Sequence, residues 1–86
     1  MPELSRFFGI VIAMYYDDHA PPHFHAFYGS EKAEFRIDPP GLLKGRLPPR
    51  ALALVMEWAA IHQEELLEAW DHRAAGQKPP RIEPLS

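Results

Sequence analysis

The chain has 86 residues and a net charge of -3, enough for one domain with a single modest core and too short for a second. Hydrophobic residues at 47% and charged residues at 24% give an ordinary globular balance, which excludes extensive disorder; the negative charge excludes a stable, charge-driven nucleic-acid binder and leaves room for a transient encounter with RNA. The absence of cysteine excludes disulfides and thiolate metal ligands and suits a reducing, cytoplasmic setting.

Met1–Arg6 carries no basic segment leading into a long apolar stretch, and the apolar run Phe7–Tyr16 falls far short of the roughly 20 residues a membrane span needs. A soluble, intracellular protein without a membrane partner is expected. The run Phe7–Tyr16 is apolar at both parities, the pattern of a strand covered on both faces, and it reads as a central strand over 7–16. A doubly covered strand in so small a domain points to a homodimer as one way to cover the second face.

Asp17–Pro22 breaks the pattern with two acids and a Pro-Pro pair, so it reads as a loop or strand-entry turn. His23–Tyr28 and Lys32–Ile37 are both strand-like, with Gly29-Ser30 between them as a hairpin signal. Asp38-Pro39-Pro40-Gly41 ends the hairpin, and Leu42–Leu47 fits either a short further strand or an extended approach to a helix. From Pro49 to about Ala74 there is neither Pro nor Gly, and Gly76 follows as a stop, which predicts one long helix over 49–74. Leu52, Val55, Ala59, His62, Leu66 and Trp70 fall on its packed side, and Glu57, Glu64, Glu68 and Asp71 on the opposite, solvated side. The tail 77–86 is proline-rich and extended, lying across the domain through Ile82 and Leu85. The fold class is therefore α+β, a single domain over 1–86 in which an antiparallel sheet of three to four strands packs against one long C-terminal helix.

The most distinctive segment is His19-Ala20-Pro21-Pro22-His23-Phe24-His25, with three of the chain's five histidines. Imidazole both gives and takes protons near neutral pH and is the commonest transition-metal ligand. A two-residue loop at Gly29-Ser30 and a four-residue loop at Tyr28–Glu31 predict identical cross-strand pairs: Phe27 with Lys32, Ala26 with Ala33, His25 with Glu34, Phe24 with Phe35, and His23 with Arg36. One face is then apolar. The other gathers His23, His25, Glu34 and Arg36, with His19 and Asp17-Asp18 arriving from the loop.

Two imidazoles, a carboxylate and a guanidinium are the parts of a metal-independent ribonuclease site: Glu34 or His25 as base, His23 as acid, and Arg36 stabilising the phosphate. The alternative for these same residues is a solvated sheet face of cross-strand pairs. A further alternative is a Zn, Ni or Cu site on His19, His23, His25 and Asp17, against which Arg36 would set an opposing charge. His62 reads as a hydrogen-bonded core histidine, and His72, near a helix C-terminus, is favoured there by the macrodipole.

Pro2-Glu3-Leu4-Ser5-Arg6-Phe7-Phe8-Gly9-Ile10, Met14-Tyr15-Tyr16, His23-Phe24-His25-Ala26, Tyr28-Gly29, Gly45, Leu47-Pro48, Arg50-Ala51 and Glu57-Trp58-Ala59 together resemble the small bacterial family DUF4160 over nearly the whole chain. The resemblance implies a component of a toxin-antitoxin-like gene pair, encoded beside another short protein, and carries no catalytic residues with it. Two function classes follow. One is a toxin-like ribonuclease using His23, His25, Glu34 and Arg36 without a cofactor. The other is a non-catalytic interaction or regulatory module that binds a small cognate partner through a strand edge or the acidic helix stripe. The expectation is a toxin-antitoxin-type component, on either side of the pair, with histidine-based metal binding as a third reading.

Overall fold

The computed structural model describes residues 2–86. Five strands form one antiparallel meander in chain order: β1 (Glu3–Phe7), β2 (Ile10–Ala13), β3 (His23–Tyr28), β4 (Glu31–Arg36) and β5 (Gly41–Gly45). Two helices follow, α1 (Pro49–Ile61) and α2 (Gln63–Ala74). The α+β class holds, with more strands than the three to four expected and two helices where one was expected.

The predicted strand 7–16 is a hairpin. Phe8 (φ 49°) and Gly9 (φ 80°) both take left-handed backbone, the pattern of a tight two-residue turn, and Phe7 pairs with Ile10 across it. The run is apolar at both parities because the chain reverses inside it. Phe7, Ile10 and Ile12 are buried, whereas Phe8 at the tip is 56% exposed.

The β3–β4 pairing follows the expected register at every position: His23↔Arg36, Phe24↔Phe35, His25↔Glu34, Ala26↔Ala33 and Phe27↔Lys32. The segment after the Pro-Pro-Gly turn is a strand, β5, starting at Gly41 and ending at Gly45, so Arg46 and Leu47 of the predicted 42–47 span lie outside it. A register shift between Glu34 and Phe35 brings Gly45 against β4. Gly45 has φ +80°, and a Cβ there would run into the Lys32 carbonyl oxygen and stand 2.9 Å from Ala33 Cα. Gly45→Ala is therefore expected to cost about 1–3 kcal/mol through the left-handed backbone alone, with displacement of β4 adding to it. Gly29→Ala (φ +58°, nothing within 4 Å of a Cβ) meets only the backbone term. Urea unfolding midpoints of the two variants check this, and a Gly45 loss no larger than the Gly29 loss refutes the close-approach account.

The predicted helix 49–74 is interrupted at His62, whose φ of -109° and ψ of 26° are not helical. The break lasts one residue, since the His62 N–H reaches the Trp58 carbonyl (3.1 Å) and the Leu66 N–H reaches the His62 carbonyl (2.9 Å). The buried positions Ala51, Val55, Trp58, Ala59, Leu66, Ala69, Trp70 and Arg73 keep a helical period through it, so one continuous face meets the sheet. Pro49 starts α1 as expected. Gly76, with φ +76°, ends α2 as expected: the Gln77 N–H bonds the His72 carbonyl (2.9 Å) and the Gly76 N–H bonds the Arg73 carbonyl (3.0 Å), a Schellman closure. His62 is hydrogen-bonded as expected, its Nδ1 donating to Glu65 Oε1 at 2.6 Å, but it is not a core residue: it is half-buried at the helix break, its ring 5.5 Å from that of Trp58.

The core lies between α1 and the Phe24/Phe35 face of the sheet. The Trp58 ring sits 5.4 Å from Phe7 and 5.8 Å from Phe24, and Phe24 stacks on Phe35 at 5.3 Å. The tail runs along the outer edge of β1, where the Ile82 N–H bonds the Leu4 carbonyl (2.8 Å) and the Trp58 indole N–H bonds the Glu83 carbonyl (2.8 Å). Hydrogen bonds from Arg6 and then Arg81 hold the Glu3 carboxyl below its ordinary range, so this clasp is present above the usual carboxylate pKa and is lost as pH falls below it. Among the described residues no helix is long and apolar enough to cross a membrane.

Candidate functional site

Strand alternation decides which way the histidines point. Phe24 and Ala26 face the core beside Trp58, so His23 and His25 project from the other face of β3. They are nonetheless sheltered. The His23 side chain is 8% exposed and lies 5.2 Å, ring to ring, from Trp70 of α2, while His25 is 15% exposed and meets Tyr15 edge-on at 4.6 Å. His62, packed on Trp58 beside the core face, belongs to a different environment.

The loop before β3 supplies the central carboxylate. Asp18 Oδ2 accepts the Tyr15 backbone N–H at 3.0 Å, which turns the side chain back over the strand end. Arg73 of α2 fixes the loop from beneath. Its guanidinium lies 3.6 Å over the Trp70 ring and donates from Nη1 to the carbonyls of Tyr16 (3.0 Å) and Asp18 (3.2 Å). These are charge-assisted bonds in a buried setting, where they are stronger than neutral ones.

Three side chains converge as a result. His25 Nε2 lies 3.2 Å from both Asp18 oxygens, and His23 Nε2 lies 3.5 Å from Asp18 Oδ1 and 3.7 Å from Glu34 Oε1. One ligand atom from each of Asp18, His23 and His25 falls within 4.8 Å of the others. The His23 tautomer is fixed by its other nitrogen: Nδ1 is 2.8 Å from the Pro21 carbonyl, which only accepts, so Nδ1 carries hydrogen and Nε2 is left to the carboxylates. A lone pair aimed at two anions is repulsive. Neither the Asp18 nor the Glu34 carboxylate pairs with Lys or Arg among the described residues, and Arg73 reaches the Asp18 backbone carbonyl rather than its carboxylate, so a cation held at Nε2 would balance the two anions.

A hollow of about 400 Å³ opens beside this cluster, with Asp17, Asp18, His19, His23, His25 and Glu34 on its wall. Of the residues predicted for acid–base work, His23, His25 and Glu34 are brought together. Arg36 pairs with His23 in register but does not line the hollow. Of the residues predicted for a metal, His19 and Asp17 reach the wall, while the tight group is completed by Asp18, which sequence reasoning noted only as part of the Asp17-Asp18 pair. Tyr15, Trp70 and Arg73, which position the group, carry no local sequence signal of that role. His72 stands apart, with Nδ1 donating to Gln77 Oε1 at 3.0 Å.

A family model described as "Domain of unknown function (DUF4160)" matches residues 9–71. No curated protein and no solved structure matches.

Proposed function

The chain belongs to the DUF4160 family, a domain of unknown function, and from the geometry of its histidine strand we propose that it is a divalent transition-metal protein with Asp18, His23 and His25 as ligands and Glu34 beside them. The observation that carries this reading is the convergence of two imidazole nitrogens and one carboxylate within 4.8 Å. Zinc bonds to such donors at about 2.0–2.1 Å, so neighbouring ligands at tetrahedral corners stand roughly 3.3 Å apart. The two separations to Asp18 Oδ1, 3.2 Å from His25 Nε2 and 3.5 Å from His23 Nε2, are close to this, and the two imidazole nitrogens lie within 4.8 Å of each other. A second feature agrees with it: a ligating histidine commonly donates its other N–H to a carbonyl, as His23 does to Pro21.

Arg36, the charge that argued against a cation, is the cross-strand neighbour of His23 but does not line the hollow. Oxygen and nitrogen donors without sulfur suit Zn, Mn, Fe, Co or Ni. Held by these three ligands, a divalent ion would have room for a water, which it would activate as a nucleophile. Within the toxin-antitoxin-like pair implied by the family resemblance, such a centre is one route by which a toxin-like enzyme would cleave a phosphodiester.

Calorimetric titration of the metal-stripped chain with Zn²⁺, Mn²⁺ and Co²⁺ tests the proposal. Saturable binding of one equivalent of at least one ion is expected, lost in His25→Ala and retained in Arg36→Ala. Absence of saturable binding for every ion, or equal binding by His25→Ala, overturns it.

A further inference from the structure

Next to the histidine hollow, on the same sheet face, lies a second of about 310 Å³ that shares His25 and Glu34 with it. Its wall has two chemically distinct halves. On the β2–β3 side stand three rings: His25, Tyr15, which meets it edge-on at 4.6 Å, and Phe27, which lies within 13° of parallel to it with centroids 6.4 Å apart. On the β4–β5 side stand Lys32 and Lys44, both exposed and neither in an ion pair among the described residues, with the one carboxylate of Glu34 beside them, so that this side is net positive. The register explains the split, since Phe27 faces Lys32 across β3–β4 and Glu34 faces Lys44 across β4–β5.

An aromatic strip beside a cationic strip is complementary to a flat, π-bearing group joined to an anion. Bases stack on aromatic side chains regardless of sequence, and lysines hold phosphate as point charges. We infer that this second hollow is a single-nucleotide subsite, in which Tyr15 and Phe27 receive the base and Lys32 and Lys44 hold the phosphate beside the Asp18/His23/His25 centre. A volume at the lower end of the range for small-ligand sites, about 300–1,000 Å³, admits one nucleotide and excludes a duplex. The inference rests on the metal reading for what lies beside the phosphate. It adds the substrate class, a phosphate-bearing nucleotide unit of a single strand. The chain's net charge of -3 fits a site that takes one unit at a time better than a surface that grips a long polyanion.

The test is calorimetry with 5′-AMP and 5′-UMP, against adenosine (base without phosphate) and inorganic phosphate (anion without base), on metal-free and Zn²⁺-loaded protein. Nucleotides should bind at least about tenfold more tightly than either fragment. Phe27→Leu should weaken them on the order of 5- to 100-fold, the range expected for one base-aromatic stack. The Lys32→Ala/Lys44→Ala double variant should also weaken them while leaving Zn²⁺ affinity unchanged; both lysines are exposed, and thermal melts verify that each variant is folded. Zn²⁺ binding with nucleotides no tighter than phosphate overturns the subsite and leaves the metal centre standing. Nucleotide binding that depends on Phe27 and the lysines but persists where no metal binds supports the subsite and overturns the centre. Nucleotide affinity unchanged in both variants overturns the subsite in either state.

Discussion

Trp58→Ala is expected to lower unfolding stability by about 3–5 kcal/mol, the usual cost of deleting a buried aromatic ring from a core. The ring is fully buried, touches Phe7, Phe24 and His62, and so joins both hairpins to the helix face. Its indole N–H also holds the Glu83 carbonyl, so the same deletion frees the tail from α1. Domains have only about 5–15 kcal/mol in total, and a domain of this size loses roughly 4–8 °C of Tm per kcal/mol, so the variant should melt at least about 12 °C lower. Trp58→Phe keeps most of the apolar contact and removes the donor, and it should fall between the two. Urea titration followed by far-UV circular dichroism measures both. A loss under about 1 kcal/mol for Trp58→Ala shows that the sheet and tail hold together without this ring.

How far such a core was visible beforehand depended on whether the signal was local. The β3–β4 register was legible because two loop lengths of the same parity give the same pairs, and Gly29-Ser30 marks the turn. That register then put His23, His25 and Glu34 on one face and Phe24 with Phe35 on the other. The β1–β2 hairpin was not legible, because its turn is Phe8-Gly9: phenylalanine seldom takes the left-handed conformation, and an apolar residue at a tip extends the appearance of a buried run. The interruption at His62 has no Pro or Gly to announce it, and the buried stripe passes through unchanged. Strand parity also reaches only so far in a site. It puts Arg36 on the histidine face but does not say how far along the sheet its guanidinium sits. Asp18 is chosen over Asp17 by the Tyr15 N–H and by the grip of Arg73, 55 residues further along the chain on the loop's carbonyls. Nothing in the local spelling of the loop encodes that contact.

Metal binding should raise the thermal stability of this chain by an amount set by occupancy, and the sign of two variants separates a metal centre from a merely structural cluster. At a free ion concentration 100 times Kd, a ligand that binds only the folded state adds about 2.7 kcal/mol, which for a domain of this size is a rise in Tm of roughly 11–22 °C. His25→Ala removes a nitrogen that lies 3.2 Å from both Asp18 oxygens, and the metal-dependent rise should vanish. Glu34→Gln acts differently. It retains a group of nearly the same shape next to His23 but removes one of two anions converging on a single imidazole. The metal-dependent rise should shrink, with affinity down by about 10- to 100-fold as for loss of an outer-shell partner. In the metal-free chain the same substitution relieves repulsion between carboxylates and should leave the Tm unchanged or higher. A cluster serving only as a set of protonated ion pairs gives the reverse, because removing the Glu34 charge would then cost stability with or without metal. Differential scanning calorimetry of the native chain and both variants, with Zn²⁺ and with chelator, reads the two signs in one experiment. A Glu34→Gln loss that is equal in both conditions refutes the metal centre and leaves His23 and His25 as charged partners of Asp18.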